Sequence, residues 1–374
     1  MLKINLLVLS IASILFIGCD SEEDEDSYEL AIFDISDGDF VFTHLSDIHG
    51  YDVSMDVALE LNKKSNVDFA LMTGDNLLSA HLVNKLKTSK KPFLIIPGNH
   101  DTYDYTTEYD FRKNVLDVLP NDSIQFADDI HNYWVYDFHK NGRSLRVVGL
   151  DQYQIQTMDF DTVSAHYDIM MSQEQVDWFI SKLRESSDFD GVLVAIHVGL
   201  GNRYINARDT TYVNDFVSVY AKQFKGSYDY NGSGDPRLLA DIINAYQTGS
   251  NIKGVEYESG SKGNPISVTT NFKKASSNFI GLFGGHLHWD EVEKLPNYDF
   301  LQCLVAWGGY GKGCSYDDLV RNTNATNSYV INVNSIDFEN KTLKIQRIGA
   351  NVNDDGITRD SISYNWKYNE FLTE

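Results

Sequence analysis

The sequence contains no run of basic residues, and 54 aspartates and glutamates outnumber its 31 lysines and arginines, for a formal net charge of −23. Binding to the phosphate backbone of DNA or RNA requires clustered lysine and arginine, because these side chains displace the condensed counterions. The composition therefore argues against a nucleic-acid partner. A small phosphorylated substrate stays compatible with this charge if metal ions supply the positive charge.

Cysteine is scarce, with three residues in the chain: Cys19, Cys303 and Cys314. Export from the cytoplasm would permit a disulfide bridge between Cys303 and Cys314. The apolar, strand-like run around Cys303 equally predicts a buried thiol that acts as a small hydrophobic side chain. Both interpretations stay open at the level of the sequence.

The apolar run near the N-terminus, from Ile4 to Ile17, follows Lys3 and is too short to cross a membrane comfortably. It predicts a secretory signal over residues 1–19. Cys19 directly behind Gly18 resembles a lipobox, in which this cysteine becomes the lipidated N-terminus; an ordinary signal peptide is the alternative.

An acidic run, DSEEDED, follows Cys19 and predicts a disordered tether over residues 20–38. It resembles the export signal of surface lipoproteins in the Bacteroidetes group. We therefore expect an exported protein, anchored by lipid to a bacterial outer membrane and facing outward.

The rest of the chain, residues 39–374, has no linker, repeat or low-complexity segment, and it predicts one large domain with an elaborated segment at about 199–278. Three times an apolar strand ends in a polar tip and a helical pattern follows, near residues 53–64, 78–86 and 109–118. Hairpins are predicted at Asn141-Gly142 and Glu339-Asn340, and a further helix at Ser172, its N-cap, with Gln175 in the capping-box position. This order predicts an α/β fold with mixed sheets covered by helices.

Polar side chains gather where the predicted strands end. Ligands bind at the carboxyl ends of strands in open α/β sheets. Each group alone has a plain explanation as a loop cap or a surface turn, but five of them in one chain are hard to reach by chance. Imidazole, carboxylate and amide donors suit Zn, Mn and Fe without any thiolate, and glycines at 74, 98 and 285 would let the backbone turn sharply and approach the ions. The five tips hold Asp47 and His49; Asp75; Asn99, His100 and Asp101; His197; and His286 and His288.

In order and type, this series resembles the calcineurin-like metallophosphoesterase family over roughly residues 40–350. The resemblance implies a two-sheet sandwich flanked by helices, with two divalent or trivalent ions (Mn, Fe or Zn) at the sheet edges. His100 would face the substrate as a proton donor, stabilised and oriented by Asp101. The first ion would be held by Asp47, His49, Asp75 and His288, and the second by Asp75, Asn99, His197 and His286.

The function implied is a metal-dependent phosphohydrolase, either a phosphomonoesterase or a phosphodiesterase, acting on a small extracytoplasmic substrate. Leu78 stands where purple acid phosphatases carry a tyrosine ligand, and where the cyclic-nucleotide branch carries Asp or Asn, which argues against both. One alternative is an inactive surface lipoprotein that keeps the fold for binding. Another is a nuclease acting on DNA ends, which the acidic composition disfavours.

The elaborated segment predicts a helix over residues 236–249 and a hairpin over 254–272, and it is rich in arginine and tyrosine. These side chains would either hold phosphate and a ring-bearing substrate or merely cover the sheet edge. The histidines outside the five tips are predicted to be structural or surface groups: His44, His81, His131, His139 and His166.

Overall fold

The protein is seen in a computed structural model that describes residues 35–101, 108–121, 123–154, 169–200, 237–259, 264–286, 288, 291–295, 298–305, 329–349 and 361–372. The described residues form two seven-stranded sheets that mix parallel and antiparallel pairs. This mixed α/β architecture confirms the predicted fold class. Labels below number the strands and helices along the chain.

The first sheet has the strand order β16-β15-β14-β13-β1-β2-β3. Its three parallel strands are fully buried apolar runs, because helices cover their outer face and the second sheet covers their inner face. The strands are β1 (Phe40–Leu45), β2 (Phe69–Thr73), β3 (Phe93–Ile96), β13 (Val330–Asp337), β14 (Thr342–Gly349), β15 (Ser361–Asn365) and β16 (Glu370–Leu372).

The second sheet has the order β11-β12-β10-β7-β6-β5-β4. A separate two-stranded sheet, β8 with β9, is the hairpin predicted in the elaborated segment. The strands are β4 (Gln125–Phe126), β5 (Trp134–Lys140), β6 (Arg143–Gly149), β7 (Gly191–Val198), β8 (Lys253–Ser259), β9 (Asn264–Thr269), β10 (Phe279–Gly285), β11 (Glu291–Lys294) and β12 (Leu301–Leu304).

Aromatic packing joins the two sheets. The Phe42 ring stacks on Phe69 at 4.9 Å and meets Phe283 of the second sheet edge-on at 5.3 Å. Trp134 is fully buried in the same layer and donates its indole N–H to Ile95 O at 2.9 Å. The sheets are thereby fixed face to face, which sets the strand ends of both along one edge.

Helices occupy the positions that the sequence predicts, with differences at their ends. The second helix begins at Ala80 rather than at 78, because the Ser79 hydroxyl caps it by accepting a bond from Leu82 N. The third passes into a π-helical turn, Arg112–Leu116. The bounds are α1 (Asp52–Lys63), α2 (Ala80–Leu86), α3 (Glu108–Phe111), α4 (Gln173–Glu185) and α5 (Arg237–Thr248).

Ser172 is the N-cap of α4, as predicted, and its hydroxyl accepts a bond from Gln175 N at 3.1 Å. The second half of the expected capping box does not form. The Gln175 side chain instead pairs with the backbone of Asp151, accepting from its N and donating to its O, each at 2.8 Å. The helix start is thus joined to the end of β6.

Three further features bear on the sequence predictions. Ile35 is buried against the helix-side core, and the predicted tether over residues 20–38 stays a prediction. Cys303 is a free thiol buried between the sheets, while Cys19 and Cys314 lie outside the described residues.

Among the helices that the structure describes, none has the length and apolar character to span a membrane.

Candidate metal centre

The predicted site residues converge at the edge where the parallel strands of both sheets end. β1, β2 and β3 deliver Asp47, Asp75 and Asn99 from the first sheet, while β7 and β10 deliver His197 and His286 from the second. All five side chains are buried. A site assembled from five strand ends of two packed sheets is held by the core itself.

One group of donors consists of Asp47, His49 and His288, whose ligand atoms lie within 4.8 Å of one another. His288 Nε2 is 3.2 Å from His49 Nε2 and 3.3 Å from Asp47 Oδ1. Two nitrogens bound to one zinc-like ion at tetrahedral geometry would lie roughly 3.3 Å apart. These separations therefore fit three donors that share an ion.

The other group consists of Asp75, His197 and His286, again with ligand atoms within 4.8 Å of one another. His197 Nε2 is 3.3 Å from Asp75 Oδ2 and 3.2 Å from Asn99 Oδ1. Asn99 therefore joins this group, as the family resemblance implies. A usual charge-assisted hydrogen bond spans about 2.7–2.9 Å, so these longer separations also suit donors around an ion.

The two groups are adjacent. His286 N donates to Asp47 Oδ2 at 2.8 Å, and the imidazoles of His197 and His286 meet edge-on at 5.1 Å. The structure thus brings together all seven side chains predicted to bind metal. Asp75 lies with the second group, and its bridging of both ions stays a prediction.

The backbone at the site is held in an uncommon conformation. Positive φ is rare for residues other than glycine and costs on the order of 1–2 kcal/mol at each position. Such strain persists only where the surrounding structure enforces it, and it concentrates at functional sites. Six of the nine described non-glycine residues with positive φ lie here: Asp47 (54°), His49 (47°), Asp75 (53°), Leu77 (46°), His286 (71°) and His288 (59°).

The glycines predicted at the site, Gly74, Gly98 and Gly285, serve it in different ways. Gly74 makes the expected turn, with φ of +94°. Gly285 and Gly98 are not among the positive-φ positions; they provide clearance for carboxylates. A Cβ at Gly285 would overlap Ser46 Oγ and Asp47 Oδ2, and one at Gly98 would overlap Asp75 Oδ1.

Replacing Gly285 by alanine is expected to destabilise the metal-free protein by at least about 3 kcal/mol, because the methyl group would displace the buried Asp47 carboxylate. Gly142→Ala is the matched control: its φ is +76° and no atom lies within 4 Å of the added Cβ, so the cost should be about 1 kcal/mol of backbone strain. Urea denaturation measures both. An equal loss of unfolding free energy in the two variants would contradict the role of Gly285 in providing clearance for Asp47.

Electrostatics in the metal-free site centre on His197. Burial opposes its charge, but the neighbouring Asp75 carboxylate, with help from Asp47, outweighs burial and raises the pKa of His197 to about 9. Burial lowers the pKa of His286 to about 3, and the charge on His197 adds to that effect. The pKa values of the two buried imidazoles of this group therefore shift in opposite directions, because His197 faces the Asp75 carboxylate most closely.

The tautomer of His197 follows from its second contact. Its Nδ1 donates to Thr73 O at 2.6 Å, which leaves Nε2 to face Asp75 and Asn99. A backbone carbonyl that fixes the far nitrogen of an imidazole is the usual support for a metal-binding histidine.

His100 lies at the rim of the site, with its side chain 30% exposed and its Nε2 4.0 Å from Asp75 Oδ2. His100 N donates to Asp75 Oδ1 at 2.7 Å, and its ring meets that of His49 edge-on at 5.0 Å. This partly open position is compatible with a proton donor that faces a substrate.

The Asp101 carboxylate accepts hydrogen bonds from three backbone amides. Its Oδ1 accepts from Asn76 N and Leu77 N at 2.9 and 2.8 Å, and its Oδ2 accepts from Gly98 N at 2.9 Å. Burial and the charge of Asp75 raise the pKa of Asp101 to about 7, against the bonds from Gly98 N and Leu77 N, which lower it. Asp101 thus ties the loop after β2 to the loop after β3; its orientation of His100 stays a prediction.

Residues outside the predicted set also shape the site. Leu78 is buried in the helix-side apolar core, in keeping with the absence of a ligand at that position. His44 is buried 3.0 Å from Thr73 Oγ1, and burial lowers its pKa to about 3. His166, Trp289 and Asp290 lie outside the described residues, as does the arginine- and tyrosine-rich part of the elaborated segment, residues 201–236.

A two-sheet sandwich with two adjacent groups of His, Asp and Asn donors at its strand ends defines a metal-dependent hydrolase. The comparison with family models agrees: the model described as calcineurin-like phosphoesterase matches residues 40–290. The chain belongs to this family, and it is a hydrolase acting on phosphoric ester bonds. The family uses divalent metal ions, and the donor groups described above fit them.

Solved structures provide distant similarities. GAP50, the anchor in the inner membrane complex of Plasmodium, is 12% identical, with a TM-score of 0.44 and coverage of 86% of this chain and 87% of the other. A putative 5'-nucleotidase from Staphylococcus aureus is 14% identical, with a TM-score of 0.39 and coverage of 80% and 51%. The NAD nucleotidase of Haemophilus influenzae is 10% identical, with a TM-score of 0.36 and coverage of 87% and 56%.

The chain therefore spans about half the length of the two nucleotidases, and TM-scores below 0.5 assign no substrate. No curated protein matches the chain by sequence.

A buried carboxylate beside the site predicts a pH-dependent stability. Burial raises the pKa of Asp151 to about 6, opposed by bonds from Tyr153 N and Asn132 Nδ2. In the unfolded chain its pKa is about 3.9. Since the folded chain holds this proton more tightly, its stabilising contribution is present below about pH 4 and is lost as the pH rises through about 6.

Asp151→Asn cannot ionise at this position. The difference in unfolding free energy between the variant and wild type should therefore change by about 2 kcal/mol in favour of the variant between pH 4 and pH 7. Urea denaturation of both proteins at several pH values measures the shift. A difference that does not change with pH would contradict the buried-carboxylate account.

Proposed function

We propose that the chain is an exported phosphohydrolase that binds two metal ions and cleaves a small phosphate monoester or diester. The observation that carries the proposal is the pair of adjacent donor groups, joined by the bond from His286 N to Asp47 Oδ2 at 2.8 Å. Two-ion sites with ions about 3.5–4 Å apart are typical of phosphoryl-transfer enzymes. Asp47, His49, Asp75 and His288 would hold one ion, and Asp75, Asn99, His197 and His286 the other.

When bound, the ions supply positive charge to the phosphoryl oxygens and activate water for attack. The remaining chemistry falls to the residues of the chain. His100 projects at the rim, where its imidazole would donate a proton to the leaving oxygen. Asp101 fixes the two loops that carry Asp75 and Asn99, so that their donors keep their positions when substrate binds.

An inactive binding lipoprotein is the competing function. It is disfavoured because all seven predicted metal ligands, together with His100 and Asp101, are present. The acidic net charge of −23 likewise disfavours a nuclease, which would need a basic groove.

The test uses the purified full-length chain, freed of metal by a chelator and then reloaded with Mn²⁺. Chromogenic phosphomonoesters and phosphodiesters are offered before and after reloading. We expect hydrolysis of at least one class only after reloading. A reloaded protein that binds Mn²⁺ but hydrolyses neither class would support the binding lipoprotein instead.

Export and lipid anchoring through Cys19 are part of the same proposal and rest on residues 1–26 of the sequence. Cys19→Ala should move the protein from the membrane fraction to the soluble exported fraction, because the anchoring chains are lost. Unchanged membrane association of that variant would contradict the lipid anchor.

A further inference from the structure

His197 lies where the backbone ladder around its own strand becomes irregular. In the pairing of β10 with β7, Phe283 is opposite Ala195 and Gly285 is opposite Val198, so β7 carries one extra residue next to the site. On the other side, the ladder between β6 and β7 ends with Leu150 N donating to Ala195 O at 2.9 Å. A bulge changes the direction of a side chain, but it also interrupts the regular hydrogen bonds of the local backbone.

Beyond the end of the β6 ladder, Gln152 provides hydrogen-bond partners for the backbone of β7. Val198 N donates to Gln152 Oε1 at 2.7 Å, and Gln152 Nε2 donates to Val198 O at 3.1 Å. Its primary amide therefore pairs with the peptide groups that follow His197 much as a neighbouring strand would. The side chain is 2% exposed, so water does not compete for these bonds.

Gln302, on β12, holds the same segment from the other side. Leu200 N donates to Gln302 Oε1 at 2.6 Å, and the glutamine is 1% exposed. Between the two glutamine contacts, Gly199 has no room for a side chain, since a Cβ there would lie 2.8 Å from Leu304 Cδ1 and Cδ2. The backbone from 198 to 200 is thus bonded by Gln152, in the turn after β6, and by Gln302, on β12.

Gln152 is itself held in place. Its neighbour Asp151 accepts from Tyr153 N at 2.8 Å, and the Asp151 backbone is paired with Gln175 of α4. The Tyr153 ring meets the His197 imidazole edge-on, with centroids 5.9 Å apart. The turn after β6 therefore contacts both the ring of His197 and the backbone behind it.

From this geometry we propose that Gln152 and Gln302 are positioning residues, which fix His197 for its ion by bonding the backbone that follows it, where the β6 ladder has ended and the β10 pairing is irregular. The inference rests on the proposed function, because it concerns the ion that Asp75, Asn99, His197 and His286 would hold. Residues that support metal ligands in this way typically contribute about 10–100-fold to metal affinity. The first ion, on Asp47, His49 and His288, should depend little on them.

The experiment titrates the metal-free full-length chain with Mn²⁺ by calorimetry, for wild type and Gln152→Ala. Wild type should bind two ions in resolvable steps. In Gln152→Ala one step should weaken by about tenfold or more while the other stays within about twofold. The reloaded variant should lose kcat with little change in KM, because the ligand geometry is altered rather than the substrate contacts.

Asn278→Ala is the matched control. Asn278 is also a buried amide bonded to backbone carbonyls, Ser186 O at 2.8 Å and Phe189 O at 2.9 Å, but it precedes β10 at the end away from the site. It should lower the unfolding free energy without changing either binding step. If Gln152→Ala does not fold, Gln152→Glu replaces it, since it keeps the acceptor for Val198 N and loses the donor to Val198 O.

Unchanged affinities in the Gln152 variant, or equal weakening in Asn278→Ala, would overturn the positioning role while leaving the proposed function intact. A wild-type chain that binds fewer than two ions would overturn the proposed function as well. The number of binding steps in wild type therefore separates the two failures.

Discussion

Asp75→Asn should leave the protein folded but remove its bound metal and lower its turnover by at least about 1000-fold, equivalent to roughly 4 kcal/mol of transition-state stabilisation. Asparagine has the shape of aspartate and can still accept the bond from His100 N to Oδ1. It places an amide group, without charge, where Asp75 Oδ2 now lies 3.3 Å from His197 Nε2. The loss of metal and turnover would therefore result from the missing carboxylate ligand and not from a disturbed backbone.

Metal analysis and steady-state kinetics of the purified variant test this prediction. Asp241→Asn is the control, because that carboxylate is also hydrogen-bonded inside the protein, to Tyr257 and Tyr298, but lies on α5 outside the site. It should retain metal and activity. A normal metal content in Asp75→Asn would refute the bridging role of Asp75.

His100→Ala should retain both ions and yet hydrolyse esters with poor leaving groups about 100-fold or more slowly. The imidazole is partly exposed at the rim, and in the proposed function it would protonate the departing oxygen. An ester whose leaving group is stable as an anion does not need that proton, so its hydrolysis should change much less. The dependence of the rate on leaving-group pKa should therefore steepen in the variant.

A series of aryl and alkyl phosphate esters measures that dependence. His81→Ala serves as the control, since His81 is a surface imidazole with a 65% exposed side chain near Asp52. It should leave the whole series unchanged. Equal slowing of good and poor leaving groups in His100→Ala, or loss of metal, would argue against the role of His100 as an acid.

The sequence predicts these polar residues at strand ends because that signal is local. A buried apolar run followed by Asp, Asn or His marks a strand end, and parallel strand ends meet at one edge, so Asp47, Asp75 and Asn99 were expected together. The Asn141-Gly142 hairpin is equally local: both residues have positive φ, at 54° and 76°, as the turn requires. Periodicity predicts the first helix near residues 53–64, and α1, Asp52–Lys63, differs from that by one residue at each end.

What the sequence did not reveal depends on distant partners. Clearance for the Asp47 carboxylate at Gly285 exists only because Asp47, 238 positions earlier, lies against it. From the sequence, Gly285 is expected only to let the backbone turn and approach the ions. Gln175 stands at the capping-box position in the sequence. Its side chain instead forms two buried hydrogen bonds with the backbone of Asp151, so the capping box does not form. Gln152 and Gln302 carried no signal, because a single glutamine near a strand end has no distinguishing pattern.

The central claim is that this site hydrolyses phosphate esters only when its two donor groups hold metal. The most direct measurement follows hydrolysis and bound Mn²⁺ together as metal is added to the chelator-treated full-length chain. We predict no turnover without metal, and activity that rises with occupancy and levels off at two ions per chain. Full hydrolysis by the metal-free protein, or saturation with no ion bound at Asp75, would contradict the account.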